Sequence, residues 1–294
     1  MKAALSQRKG FRWGVERRLE LIEFRLFWEG GVNRSDIVDE FGVSVPQASK
    51  DLALYQDQAP QNLRYDRSQK RYFAAKRFRP KFIDLNAAAY LEKLAGQHAE
   101  GAGDVVATAL APIADTLPLP RRNIDPDILR AILSVVREGR SLEIIYQSMS
   151  EQRPEPVWRR ISPHAFASDG LRWHVRAYCH QDKKFKDFIL SRCQEARAED
   201  DPGALSADDV HWNTYFQVVL RPNSRLSKSQ QDIIAQDFAM VDGEAVVPVR
   251  QSLLYYFNKR LRLDVADQFD DPREAPVVVK NRAAFDAALA EAVR

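Results

Sequence analysis

The chain has 294 residues, 45% hydrophobic and 29% charged, with a net charge of +3. That length suits about two or three domains. No apolar run is long enough to span a bilayer, and the basic, aromatic opening lacks a continuous apolar segment, so a cytoplasmic protein with no membrane partner is expected. Cys179 and Cys193 lack metal-ligand spacing and read as small core hydrophobes rather than a disulfide or redox pair.

Charge is unevenly placed. Residues 1–81 carry 17 Lys and Arg against 10 Asp and Glu, so the cations concentrate at the front and the remainder is mildly acidic. A basic first domain joined to such a remainder fits a nucleic-acid reader tethered to modules with other duties. From Val15 to Trp28, Leu19, Ile22, Phe24, Leu26 and Phe27 recur at mostly helical spacing until Gly30 and Gly31, which predicts a first helix. Beyond it Asn33 suits an N-cap, Ile37, Val38 and Phe41 form an apolar stripe, and Gly42 permits the tight turn of a helix-turn-helix. The next helix opens near Ser44 with Pro46 in its first turn, where a missing N–H is no loss, and its apolar side is Ala48, Leu52 and Tyr55.

That arrangement leaves Ser44, Gln47, Ser49 and Lys50 exposed at the helix's N-terminal end, with Arg34 on the helix before it. This is the end that a recognition helix presents to the major groove. Gln47 suits an adenine edge, Lys50 a phosphate or guanine, and the serines backbone phosphates. An ordinary packed helix pair has the same pattern, but the following NLRYDRSQKRYFA reads as strand, turn and strand, with Arg67, Lys70 and Arg71 at the hairpin tip. Helix, turn, helix and basic hairpin in that order resemble a winged helix-turn-helix of bacterial regulators, which implies double-stranded DNA as a partner.

Residues 82–125, with AAAYLEKLAG, a glycine-containing piece at 101–103 and Pro118-Leu119-Pro120, read as a helical linker, a spacer or a dimer contact. A helix over Asp127 to Gly139 then delivers the chain to the strand LEIIYQS, which places Tyr146 on the sheet that follows. Val157 to Arg192 reads as three strands divided by Ser168-Asp169-Gly170 and His180-Gln181-Asp182. In the central strand, alternation sends Trp173, Val175, Ala177 and Cys179 to one face and Arg172, His174, Arg176 and Tyr178 to the other, while Arg160, Ser162 and His164 share a parity in the strand before. Such a row of cations, with few interleaved carboxylates expected, is either a solvated surface or an anion site. Planar guanidinium forks favour phosphate or nucleic acid as its ligand.

The strings ISPH, GLRWHVRAYC and FILSR carry a resemblance to a WYL domain, and specifically to the BrxR and CapW type repressors of bacterial phage-defence operons, although the namesake tripeptide is replaced by Trp173-His174-Val175. The resemblance implies an Sm-like β-barrel that binds a nucleotide or nucleic-acid effector through Tyr146, Arg160, His164, Arg172, Trp173, His174, Arg176 and Arg192.

After the expected boundary Asp200-Asp201-Pro202-Gly203, the chain reads strand, helix, strand, helix, strand, helix, a small α+β unit similar to the C-terminal extension that helps WYL regulators dimerise. The expected fold is therefore α+β and multidomain. A winged helix-turn-helix occupies 1–81, a helical linker 82–125, a WYL-like Sm-like β-barrel 126–200 and a small α+β extension 201–294. No phosphate loop, metal-ligand spacing or nucleophile elbow is present, so no cofactor, metal or catalytic residue is expected. The expected function is a homodimeric repressor of a phage-defence operon, controlled by an anionic effector. A single-strand-binding accessory protein is the alternative, and a nuclease using histidines beside arginines a third reading.

Overall fold

The computed structural model describes residues 11–99, 114–202 and 204–293. The chain divides into two compact units, Met1–Pro118 and Leu119–Arg294. The glycine-containing piece at 101–103 lies outside the described residues.

The first unit holds α1 (Trp13–Trp28), α2 (Arg34–Phe41), α3 (Val45–Gln58), the hairpin β1 (Leu63–Asp66) and β2 (Arg71–Ala74), and α4 (Ala87–Ala99). Its core joins Leu19, Ile22 and Leu26 of α1 to Ile37 of α2 and to Ala48, Leu52 and Tyr55 of α3. Phe41, expected on the apolar stripe, is exposed. A capping box opens α2, the Asn33 side chain accepting from Asp36 N–H and the Asp36 carboxylate from Asn33 N–H, and Gly42 closes it in the left-handed region at φ 63°. Ser44 caps α3 by accepting from Gln47 N–H. Helix α4 packs back on this unit, Tyr90 stacking on Trp28 at 4.8 Å, so the first part of the expected linker belongs here.

Two devices fix the hairpin and the chain beyond it. Val32 and Tyr72 exchange backbone hydrogen bonds of 2.8 and 2.9 Å, which adds the α1–α2 connection to the hairpin's edge. Gly31 makes this approach possible: its φ is +148°, and a Cβ there would stand 2.6 Å from the Tyr72 carbonyl oxygen. After the hairpin, Glu23, fully buried in α1, accepts from Tyr55 O–H and from the N–H groups of Lys81, Phe82 and Ile83.

In the second unit, α5 (Pro126–Glu138) is capped by Asp125 and buries Ile128, Ile132 and Val135 against an antiparallel sheet. The sheet contains β3 (Arg140–Tyr146), β4 (Val157–Ser168), β5 (Trp173–Cys179), β6 (Lys184–Ile189) and β7 (Cys193–Pro202), in the order β6-β5-β4-β3-β7. Among the described residues β6 and β7 do not pair, so the ladder is open and the expected barrel closure is not found. The acidic stretch expected as a boundary is the end of β7, with Pro202 opposite Arg140. Register shifts between Pro163 and Ala165 of β4, placing a bulge at His164.

The same unit continues through α6 (Val210–Asn213), β8 (Tyr215–Pro222), α7 (Lys228–Asp237), β9 (Ala245–Arg250), α8 (Leu254–Arg260), β10 (Val277–Val279) and α9 (Arg282–Val293). A three-stranded sheet ordered β10-β8-β9 packs Val218 and Leu220 against Leu254 and Phe285. From β8 onward the long elements follow the expected order. Among the described residues no helix is long and apolar enough to cross a membrane.

Candidate functional site

Two surfaces gather the side chains singled out in the sequence. In the first unit, Arg34, Ser44, Lys50, Arg67 and Lys70 are exposed, and Gln47 and Ser49 are half-buried. Ser49 donates to Val45 O, so its hydroxyl is turned back on the helix. Gln47 donates through Nε2 to Asp51 Oδ1 at 3.0 Å, and buried Asp51 also takes Arg18 Nε at 2.6 Å. Arg18 of α1 thus fixes the presented end of α3 through two side chains.

The hairpin turn is shaped by Asp66, whose Oδ1 accepts from Ser68 and Gln69 N–H, and by Lys70 at φ 49°. Arg71 departs from expectation. It opens β2 rather than lying at the tip, and its Nη2 donates to Gly31 O at 2.9 Å and to Asp36 Oδ2 at 3.0 Å. Its period-two neighbours gave no hint of that bond, because the acceptors lie 40 and 35 residues earlier. The sequence reading also missed a cleft of about 240 Å³ lined by Asn33, Arg34, Ser35, Tyr65, Lys70 and Tyr72, which places the N-terminus of α2 beside the hairpin cations. Arg34 and Lys70 lining one cleft are suited to a phosphate.

On the central sheet, alternation holds where it was expected. Ser162 pairs with Tyr178, Arg176 with Asp187, and Val175, Ala177 and Cys179 enter the core on the opposite face. Two of the expected ligand residues lie away from this row. Tyr146 is in the core, its hydroxyl accepting from Ile189 N–H at 3.2 Å, and burial pushes its phenol upward. Arg192, half-buried, lies beside that same hydroxyl. Trp173, expected in the core, is 53% exposed, because it stands at the start of its strand.

The remaining row is neither solvated nor short of carboxylates. Arg176 is only 4% exposed; it donates to both oxygens of Asp209 at 2.7 and 3.1 Å and to Asp187 at 3.3 Å. His164 Nε2 lies 3.0 Å from Asp209 Oδ2. Arg172 donates to Asp169 at 2.8 Å, and His174 Nε2 lies 3.4 Å from the same oxygen. Arg160 donates to Ser141 Oγ at 3.1 Å. Tyr256 of α8 lies over the row, its ring centroid 4.6 Å from that of His174 and its hydroxyl donating to Asp187 at 3.0 Å.

Electrostatics follow from this burial. Desolvation opposes the charge of Asp169, yet hydrogen bonds from Leu171 N–H and Arg172 hold its carboxyl at about 2. Desolvation likewise opposes Asp209, and His164 with Arg176 outweighs it, so that carboxyl stays well below the usual range. Burial lowers the His174 imidazole, partly offset by Asp169. Beside this network a cleft of about 580 Å³ is lined by Arg176, Lys183, Lys184, Lys186, Asp209 and His211, among others. Its cationic rim comes from the β5–β6 turn and β6, and its carboxylates are Asp187 of β6 and Asp208 and Asp209 of the segment leading to β8. The residues present suit an anion; among the described residues no group of three or more His, Cys, Asp or Glu is placed to hold a metal.

Comparison with known proteins gives three domain matches. Residues 14–96 match the BrxR transcriptional regulator winged helix-turn-helix domain, residues 127–198 the WYL domain, and residues 215–285 the BrxR transcriptional regulator C-terminal dimerization domain. Whole-chain relatives are described as the DNA-binding transcriptional repressor CapW. The one from Escherichia coli (strain KTE188) is 38% identical, covering 94% of this chain and 92% of its own, and that from Pseudomonas aeruginosa is 41% identical over the same shares. The relative from Stenotrophomonas maltophilia is 38% identical, covering 92% and 90%.

Proposed function

The chain belongs to the family of the CapW repressors, with a BrxR-type winged helix, a WYL domain and a BrxR-type C-terminal domain, and from that premise we propose that it represses transcription as a homodimer on a palindromic operator. The families it matches are regulatory, so it is a regulator and not an enzyme. The observation that carries the DNA-binding reading is local to the first unit: Ser44 and Lys50 at the N-terminal end of α3 are exposed with Gln47 half-buried between them, and the hairpin cations Arg67 and Lys70 are exposed as well. In this reading Gln47 and Lys50 face base edges while Arg34, Ser44, Arg67 and Lys70 meet phosphates, with Ser49 bonded to its own helix and Arg71 holding the hairpin in place. Dimerisation through the C-terminal domain matches the two-fold symmetry of such an operator.

The WYL sheet is the sensing module in this reading, and its ligand is a nucleotide or nucleic acid. Support comes from the cleft lined by Arg176, Lys183 and Lys184, with Lys186 at its edge bonded to Asp182. To act, such a ligand must favour one conformation of the dimer over another. Control of a phage-defence operon, action in the cytoplasm and the Sm-like character of the sheet are supported by the family resemblance. A gel shift with the DNA upstream of the protein's own gene tests the reading. A sequence-selective, salt-sensitive shift is expected, and equal binding to unrelated duplexes refutes it.

A further inference from the structure

Asp209 stands in an unusual place. It is 1% exposed, and it is the one buried residue between Ala204 and Thr214. Its neighbours Leu205 and Val210 are exposed, and α6, which it caps by accepting from Trp212 N–H, buries none of its residues. The segment therefore has no apolar anchor of its own. Other contacts tie it to the C-terminal sheet: Arg250 donates to Trp212 O and stacks on the Trp212 ring at 4.5 Å, and His211 meets Gln251 at 3.1 Å. Its grip on the WYL face runs through the Asp209 carboxylate, with an edge contact of 5.7 Å between the rings of Trp212 and His164 beside it.

The donors around that carboxylate are those that would surround a phosphate. Two guanidinium nitrogens, an imidazole nitrogen and a backbone N–H at the start of a helical turn all point at its two oxygens. The cleft beside them has room, and its rim carries Lys183 and Lys184 together with Asp187 and Asp208. We propose that Asp209 is an internal anion occupying the WYL anion site, and that a phosphate-bearing ligand entering the adjoining cleft competes with it for Arg176 and His164, releasing the segment 204–214 that leads to the C-terminal domain. This rests on the reading of the WYL sheet as the sensing module and adds how occupancy is transmitted. Buried charge pairs suit the role, because the desolvation of both partners offsets much of their attraction and an incoming anion can take over the guanidinium without leaving it bare.

Affinity for thymidine monophosphate and for a short oligothymidylate, measured by calorimetry on the full chain, provides the test. Asp209→Asn keeps a side chain that caps α6 and removes the competing charge. It is expected to bind roughly tenfold tighter than the wild type or better, the factor that about 1.4 kcal/mol supplies. In the wild type, saturating ligand is expected to speed amide exchange across 204–214, a readout that does not depend on the variant's folding. Ligand binding to the wild type that leaves this exchange unchanged, or a folded Asp209→Asn protein that binds no more tightly, overturns the latch alone. If neither protein binds either probe, or if Lys183→Gln with Lys184→Gln leaves wild-type affinity unaltered, the cleft is not the sensing site and the latch falls with it. A preference for the monophosphate over the oligomer assigns the ligand as a phosphomonoester, and the reverse as a strand.

Discussion

Glu23 offers the sharpest test of what holds the DNA-reading unit together. Its carboxylate accepts from Tyr55 O–H at 2.7 Å, Lys81 N–H at 2.9 Å, Phe82 N–H at 2.6 Å and Ile83 N–H at 2.8 Å, joining α1, α3 and the chain that leaves the hairpin. Tyr55→Phe removes one of these bonds and is expected to cost about 1 kcal/mol. Glu23→Ala orphans all four donors, each at about 1–3 kcal/mol if fully buried. Because the three backbone groups are only part-buried and water restores some of that loss, about 3 kcal/mol or more is expected rather than the full sum. Glu23→Gln keeps the shape but turns an NH2 toward N–H groups, and about 2 kcal/mol is expected. Calorimetry of the full chain should show the loss, and amide exchange at Phe82 and Ile83 should rise in both Glu23 variants. A Glu23→Gln protein within about 0.5 kcal/mol of the wild type, with those amides still protected, would refute the assignment of Glu23 as the tie.

Three further outcomes are expected. Arg34→Ala and Arg67→Ala should each weaken operator binding and reduce the salt slope by about one, as loss of a phosphate contact requires, with melting temperatures unchanged; a binding loss with an unchanged slope would move these residues off the phosphates. Arg71→Ala should lower the stability of the first unit by about 1–3 kcal/mol through its bonds to Gly31 and Asp36, whereas Lys70→Ala should lower DNA affinity alone, which denaturation and gel shifts on the pair will separate. The Asp169 carboxyl sits at about 2 in the fold against an ordinary 3.8, so its contribution is complete above the ordinary value and is lost as pH falls toward the folded one. Melts of the second unit from pH 5 to pH 2 should therefore fall more steeply for the wild type than for Asp169→Asn, and parallel curves would count against the assignment.

Local chemistry made much of this fold legible. The caps at Asn33 and Ser44, the turn at Gly42, the hairpin turn at Asp66 and the strand–helix order after β8 each depend on residues within a few positions of one another. What escaped depends on partners far along the chain. Strand β7 reads CQEARAEDDP, a polar run with little β-propensity, and it is a strand because β3 lies beside it. The family resemblance assigns Tyr146 and Arg192 to the effector surface, whereas the core claims the tyrosine and the arginine lies beside the tyrosine's hydroxyl. Gln47 was placed on the outward end of α3, but its bond to Asp51 was not foreseen, since nothing in the helical period ties that carboxylate to Arg18, 33 residues earlier.

The cationic row shows the limit most clearly. Period-two alternation identifies which side chains share a face, and it did so for Arg160, His164, His174 and Arg176; it says nothing about what covers that face. The cover comes from Asp209, 33 residues beyond Arg176, and from Tyr256, which reaches Asp187 from 69 residues away. Like charges crowded on one sheet face need an anion, and the chain supplies its own. The contact between the WYL sheet and the C-terminal domain is consequently built around paired charges and a tyrosine hydroxyl. Such contacts specify geometry strongly while adding little net stability, since removing both partners from water costs nearly what their attraction returns. A docking of that kind is easier to exchange for an external anion than an interdigitated apolar one of equal area. That is the property a domain needs if binding on one side of it is to be felt on the other.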